Sequence, residues 1–159
     1  MKTVAIDLDA VLGDTRPLWR EFLVDAARRF ASIAPLDPDQ LPSDRGVAAA
    51  ELDRWAAAGV GDWRRALARF AEERAPVFLR PSAEASAAVR TLGDAGYRIG
   101  VFTDAPEELA RVALAHLGAA RRTDLLETGV NARRRLLDEL GDGSIVVSSR
   151  RELTALSDL

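Results

Sequence analysis

Two aspartates, Asp7 and Asp9, follow the apolar run Val4-Ala5-Ile6 and are the residues best placed to do chemistry. An apolar run this short predicts a buried strand over residues 3–8 rather than a helix. Two crowded carboxylates at a strand end repel each other and therefore need a cation or a reaction to justify them. A second Asp-x-Asp pair, Asp37-Pro38-Asp39, lies in a proline-rich loop, so the spacing alone decides nothing. The position directly after a buried strand distinguishes the first pair.

The elements that must position these aspartates follow an α/β order. In the segment 15–76, apolar residues recur at helical spacing after cap residues, so it is predicted to contain only helices, joined by loops such as the one at Pro35, Pro38 and Pro42. Three further strands are predicted from apolar runs that follow helices, at 97–103, 125–128 and 144–147. This order predicts a three-layer, Rossmann-like core with a parallel sheet of about four strands, interrupted after its first strand by a helical insertion. We predict a core formed by residues 1–14 and 77–159 and a helical cap formed by residues 15–76.

Ligands of parallel sheets bind outside the carboxyl ends of the strands, in the crevice where the strand order reverses. The polar residues predicted to meet there are Asp7, Asp9, Thr103, Ser148 and Ser149. We expect the chemistry of the protein among these residues.

The sequence of residues 7–15, DLDAVLGDT, resembles the first motif of the haloacid dehalogenase-like superfamily, commonly written D-x-D-G-[TV]-L-x-D-T. Only Ala10 departs from it, at a position where glycine is usual. The strand predicted to end at Thr103 is similar to the second motif, a strand that ends in Thr or Ser. The helical cap directly after the first motif also matches, and the resemblance is to the branch that includes phosphoglycolate phosphatase and β-phosphoglucomutase.

The resemblance implies a Mg²⁺-dependent phosphatase that hydrolyses a small phosphomonoester through an aspartyl phosphate. Asp7 would be the nucleophile, and Asp9 would act as the general acid and then as the general base. The Thr103 hydroxyl would bind the transferring phosphate. Mg²⁺ would bridge Asp7 and the phosphate, with Asp9 and Glu152 as the further metal ligands of this chain.

The third motif of the family supplies a lysine, or less often an arginine, that neutralises nucleophile and phosphate. The chain has no lysine beyond Lys2, so Arg133 or Arg134 is the candidate replacement. An arginine keeps the charge but has a different shape and hydrogen-bonding pattern. The alternative is that these arginines form a solvated helix face.

The fourth motif of the family ends in acids that bind Mg²⁺, whereas the last predicted strand here runs into Ser148 and Ser149. Hydroxyls are weak, neutral ligands for Mg²⁺, so we expect the ion to bind weakly. Glu152 is a candidate replacement, but it also forms a capping box with Ser149. Asp104 and Asp142 are further candidates, with alternative roles as a helix cap and a turn residue.

Composition excludes several other kinds of site. The 159 residues include no cysteine, which excludes disulfides, thiolate metal sites and cysteine nucleophiles, and the single histidine, His116, is expected to end a helix. Residues 118–159 carry seven arginines against seven acids, so we expect no nucleic-acid partner. The longest uncharged stretch, residues 112–120, is too short to span a membrane, and no secretory signal begins the chain, so we expect a cytoplasmic protein. The oligomeric state is left open.

Two functional hypotheses remain. The first is a working phosphatase, in which arginines of the cap could also meet an anionic substrate: Arg16, Arg20, Arg45 and Arg64. The second is a catalytically degraded member of the same fold that binds phosphate or a partner, favoured by the incomplete third and fourth motifs. A phospho-accepting receiver domain is excluded because its acceptor lies on a later strand and it requires a lysine near the chain end. The sequence favours the enzyme and leaves the substrate open.

Overall fold

The computed structural model of the chain describes residues 1–159. It contains four strands: β1 Thr3–Asp7, β2 Arg98–Thr103, β3 Leu125–Thr128 and β4 Ile145–Val147. It contains seven α-helices: α1 Arg16–Arg29, α2 Arg45–Ala56, α3 Trp63–Phe78, α4 Ala83–Asp94, α5 Glu107–His116, α6 Ala132–Leu140 and α7 Arg150–Ser157. None of these helices is long and apolar enough to cross a membrane.

The four strands form one parallel sheet in the order β3-β2-β1-β4. In this register Asp7 lies beside Phe102 of β2, and Ile6 lies beside Val147 of β4. All the strands point the same way, so their carboxyl ends share one edge of the sheet. The chain segments after β1, β2 and β4 therefore meet at that edge, as the sequence predicted.

Successive residues of the strands point to opposite faces of the sheet and pack against two layers of helices. Val4 and Ile6 are buried in an apolar cluster with residues of α4, α5 and α7. Ala5 and Phe102 instead face Leu136 of α6 on the other side. The three-layer α/β core with a parallel sheet is thus confirmed.

Helices α1, α2 and α3 are inserted between β1 and β2 and form the helical cap of the prediction. Leu18, Leu52 and Leu67 bury their side chains in one cluster that also includes Ala105 and Leu109 of the core. The cap therefore packs firmly on the α5 region rather than being tethered only through its two connections to the core.

The predicted end of the cap at residue 76 falls within α3, which continues to Phe78. Ala75 and Leu79 near that end are buried in the core cluster rather than in the cap cluster. The exact division of the chain into 15–76 and the two core segments stays a prediction.

Candidate active site

The turn after β1 directs Asp7 and Asp9 to the same crevice. Residues Leu8–Leu12 form one π-helical turn whose apolar side chains are buried in the core. The Asp7 carboxylate accepts a hydrogen bond from the Ala10 backbone N–H at 3.4 Å across this turn. Ala10 has no positive φ, since Asn131 is the only non-glycine residue that does. The backbone therefore does not require glycine here, and this departure from the family motif costs nothing.

The crevice at the carboxyl ends of β1 and β2 has a volume of about 470 Å³. Its polar and charged lining consists of Asp7, Asp9, Arg16, Ser43, Asp44, Arg45, Thr103, Asp104, Asn131 and Arg133. Four of the residues singled out for catalysis or phosphate binding thus meet there: Asp7, Asp9, Thr103 and Arg133. Arg134 and Glu152 do not line it.

The Asp9 carboxylate is held in one orientation by hydrogen bonds to both of its oxygens. The Thr15 N–H and hydroxyl donate to Oδ1 at 2.9 and 2.6 Å. The Thr103 hydroxyl and an Arg45 Nη2–H donate to Oδ2 at 2.7 and 2.8 Å. The side chain of Asp9 is only 12% exposed. These donors fix the carboxylate and leave it few lone pairs for a metal ion.

Arg45, the first residue of α2, places a buried guanidinium in the crevice. Its side chain is 3% exposed, and its Nε and Nη2 lie 3.0 and 2.8 Å from Asp104 Oδ1. Its Nη1 donates to the Thr15 hydroxyl at 2.7 Å, and its backbone N–H donates to Asp104 Oδ2. All three guanidinium nitrogens are therefore engaged, and the cap delivers the principal buried cation of the site.

Asp104 accordingly does not cap α5, its alternative role, and its role as a metal ligand stays a prediction. It pairs with Arg45, whereas α5 begins at Pro106 as N-cap without any side-chain capping bond. The sequence did name Arg45, but only as one of four cap arginines. A stronger signal was available, because a cation in the first helical turn is disfavoured by the helix dipole and needs a partner elsewhere.

The Asp7 carboxylate differs from Asp9 because it forms no ion pair. Burial raises the pKa of Asp7, and the charge of the neighbouring Asp9 adds to that rise. The backbone N–H of Ala10 and the charge of Arg16 lower the pKa, but they do not cancel the effect of burial. Asp7 is thus a poorly solvated carboxylate, and its reactivity as an anion is correspondingly high.

The N-terminal end of α6 forms the opposite wall of the crevice. Asn131, Ala132 and Arg133 line it, and no acid lies in the first turn of the helix. A helix N-terminus favours an anion because its first N–H groups lack partners within the helix. Arg133 is exposed and forms no ion pair, so its charge is free to meet such an anion.

The segment after β4 supplies no acid to the crevice. Glu152 accepts a hydrogen bond from the Ser148 N–H at 2.9 Å and donates its own N–H to Ser149 Oγ at 3.1 Å. These two bonds form a variant of the capping box of α7, in which the Glu152 carboxylate accepts the N–H one residue before the N-cap, and they agree with the alternative role predicted for Glu152. Asp142 precedes β4 and so lies towards the opposite edge of the sheet.

A magnesium site formed by Asp7, Asp9 and Glu152 does not fit this arrangement. No group of three or more acidic or histidine side chains is close enough together to hold a metal ion. Asp9 and Asp104 are paired with Arg45, so of the crevice carboxylates only Asp7 and Asp44 lack an ion pair, and Asp44 caps α2. Mg²⁺ prefers anionic oxygens in near-octahedral geometry, and these two carboxylates have no third acid close enough to complete such a set.

A family model described as haloacid dehalogenase-like hydrolase matches residues 1–147. The chain belongs to this family. Phosphatases of the family generally use Mg²⁺. No protein of curated function matches the sequence significantly.

Two solved structures have a similar fold. One is a protein assigned as a beta-phosphoglucomutase from Thermotoga maritima, with a TM-score of 0.54 and 17% identity over 100% of this chain and 82% of that chain. The other is CbbY from Rhodobacter sphaeroides in complex with phosphate, with a TM-score of 0.62 and 18% identity over 92% and 76%. At such low identity the likeness establishes the fold and no more.

Proposed function

We propose that this haloacid dehalogenase-like hydrolase is a cytoplasmic phosphatase of a small phosphomonoester, with Asp7 as the nucleophile and Asp9 as the acid and base. One observation carries the proposal. The unpaired, half-buried carboxylate of Asp7 faces the same crevice as Asp9, whose carboxylate four hydrogen bonds hold in place. A nucleophile beside an oriented proton carrier is the arrangement that two-step ester hydrolysis requires.

In the first step an Asp7 oxygen attacks phosphorus and the bond from phosphorus to the ester oxygen breaks. Asp9, carrying a proton, transfers that proton to the departing oxygen, so that an alcohol leaves. In the second step water attacks the aspartyl phosphate, Asp9 takes the proton of that water, and phosphate leaves as Asp7 is regenerated.

Phosphate binding is proposed for Arg133 and the N-terminus of α6, and for the Thr103 hydroxyl once it exchanges its bond to Asp9 Oδ2 for one to the phosphate. Their position supports this role, because all three face the crevice. Arg134 lines a neighbouring surface depression that Asn131 and Arg133 share, but it does not line the crevice, so it is left out of the proposed site. Arg133 thus supplies the free positive charge that the family usually takes from a lysine.

The sequence predicts that Mg²⁺ takes part in the reaction but binds weakly, and this is the part of the family mechanism that the chain supports least. Its acids do not form a metal cluster. The proposed reaction therefore includes no step on a metal ion.

The comparisons support phosphate chemistry in general terms. One structural neighbour is assigned as a beta-phosphoglucomutase, and the other is a protein crystallised with phosphate. They do not distinguish a sugar phosphate from other small phosphate esters, and nothing in the crevice favours a nucleic acid.

The decisive experiment measures phosphate release from a panel of small phosphomonoesters by the wild type and Asp7→Asn. We expect Asp7→Asn to lose at least about a thousandfold in kcat, because it removes the nucleophile. Asp142→Asn is the matched control, since Asp142 is an exposed aspartate away from the crevice and must retain full activity. Wild-type turnover by Asp7→Asn would refute the mechanism.

The saturation of Asp9 favours one alternative, a phosphate-binding module that no longer catalyses. Both oxygens of Asp9 accept hydrogen bonds, Oδ1 from Thr15 and Oδ2 from Arg45. In that case the wild type would bind inorganic phosphate in a calorimetric titration while releasing no phosphate from any ester. Turnover that depends on Asp7 excludes this alternative.

A further inference from the structure

We propose that the Arg45 guanidinium is the resident cation of this crevice, neutralising Asp9 and Asp104 so that the site binds phosphate without a divalent metal. The statement about phosphate rests on the proposed function. The statement about the cation rests on the ion pairs alone, and the two can be tested separately.

Arg45 lies between the two acids of the crevice that it pairs with. A single Nη2 lies 2.8 Å from Asp9 Oδ2 and 2.8 Å from Asp104 Oδ1. The guanidinium is thus inserted between two carboxylates that follow adjacent strands, which is where a cation is needed. No buried polar side-chain atom lacks a hydrogen-bond partner, so the network is complete without any further ion.

The bound guanidinium of Arg45 also excludes a divalent ion from these carboxylates. A guanidinium and a divalent ion compete for the same carboxylate oxygens, and the guanidinium here is 3% exposed, with all three of its nitrogens hydrogen-bonded. A metal ion entering the site would have to displace Arg45 from both acids. Nε and Nη2 of Arg45 both donate to Asp104 Oδ1, and its backbone N–H donates to Oδ2, so three hydrogen bonds to Asp104 oppose that displacement.

The chain also lacks the acid of the family's fourth motif. Ser148 and Ser149 follow β4 where an acid would strengthen a metal site, and Glu152 is used in the capping box. The chain therefore lacks the acid that a divalent ion needs and contains a monovalent cation that a metal-free site needs. These two departures from the family compensate each other.

The first test asks whether removing Arg45 creates a magnesium site. Arg45→Met frees Asp9 and Asp104, so the variant gains two unpaired carboxylates beside that of Asp7. For a Kd of about 1 mM, about 10 mM Mg²⁺ raises its melting temperature by roughly 3–6 °C. The melting temperature of the wild type stays unchanged by the same addition. A wild-type shift as large as that of the variant would overturn the inference.

Two controls make this gain specific. Arg64→Met also removes a cap arginine that pairs with two acids, Asp53 and Glu108, but on the surface, so it gains no Mg²⁺ shift. Adding Asp104→Asn to Arg45→Met removes one of the freed carboxylates and should abolish the gain. If Arg45→Met folds only with Mg²⁺ present, that result is itself the expected gain, and Arg45→Gln replaces it if it folds in neither buffer.

The second test titrates the wild type with inorganic phosphate in EDTA and in Mg²⁺. Equal affinity in the two buffers is expected, and an affinity that requires Mg²⁺ would overturn the inference. Absence of phosphate binding in both buffers would count against the proposed function instead. The Mg²⁺ response of Arg45→Met would then still decide whether Arg45 is the resident cation.

Discussion

The contact between the cap and the core is close enough to reverse the usual effect of replacing a helical glycine. Gly46 is the second residue of α2, and alanine is normally favoured over glycine in helices by about 1 kcal/mol. A Cβ at this position would lie 2.8 Å from the Gly129 carbonyl carbon and would also meet the Val130 backbone nitrogen. Those atoms belong to the loop between β3 and α6 and cannot rotate away.

We expect Gly46→Ala to be destabilising for this reason. Overpacking of this kind costs about 1–3 kcal/mol, and the helical preference for alanine returns about 0.5–1 kcal/mol. The net loss of about 1–2 kcal/mol corresponds to a melting temperature lower by roughly 2–8 °C for a chain of this size. The shift of α2 also displaces Arg45, the neighbouring residue, so phosphatase activity should fall as well.

Gly93→Ala is the matched control for this prediction. It makes the same substitution in a helix, α4, but its Cβ would meet only the flexible side chain of Arg122, at 3.2 Å from Nη1. Here the helical preference should prevail, so the variant is equal to the wild type or more stable by about 0.5 kcal/mol. Urea unfolding of the two variants measures the difference. Equal stability of Gly46→Ala and Gly93→Ala would refute the close docking of the cap.

The other predictions concern Asp7 and the arginines of α6. Burial raises the pKa of Asp7 above 3.8, so the folded state binds its proton more tightly than the unfolded state. The stability that this proton contributes is present below pH about 3.8 and is lost as pH rises through the raised pKa of Asp7. Urea titrations should therefore show that Asp7→Asn is more stable than the wild type at neutral pH but not at pH 3. The kcat of the wild type should fall in acid, as Asp7 is protonated through its raised pKa, and a flat profile down to pH 4 would contradict this. Arg133→Met should raise KM for phosphate esters about 10–100-fold with little change in kcat, whereas Arg134→Met should leave KM unchanged.

The fold and half of the site could be predicted because their signals are local. Neighbouring residues alone show that one apolar run is followed by Asp7 and Asp9 and that another ends at Thr103. Parallel pairing of the strands then brings the two ends together without any knowledge of side-chain contacts. The same reasoning explains why a helical insertion after β1 was found from sequence.

The partners of Arg45 could not be predicted in this way because they are distant from it in the chain. It lies 36 residues from Asp9 and 59 residues from Asp104, and only the docking of the cap brings them together. Glu152 illustrates the opposite case. Its hydrogen-bond partners lie within four residues in the chain. A short-range interaction therefore engages the carboxylate, and the sequence pattern alone could predict it.

The engagement of every Arg45 nitrogen also divides the work of the two crevice arginines. Because Arg45 is buried and its Nε and Nη2 are bonded to Asp9 and Asp104, we expect an incoming phosphate to be met first by the exposed Arg133 and the N-terminus of α6. That position leaves Asp7 as the carboxylate free to reach phosphorus. Loss of Arg133 should therefore raise KM, whereas loss of Arg45 removes one of the bonds that orient Asp9 and should lower kcat. Separate effects of this kind distinguish a positioning cation from a substrate-binding one.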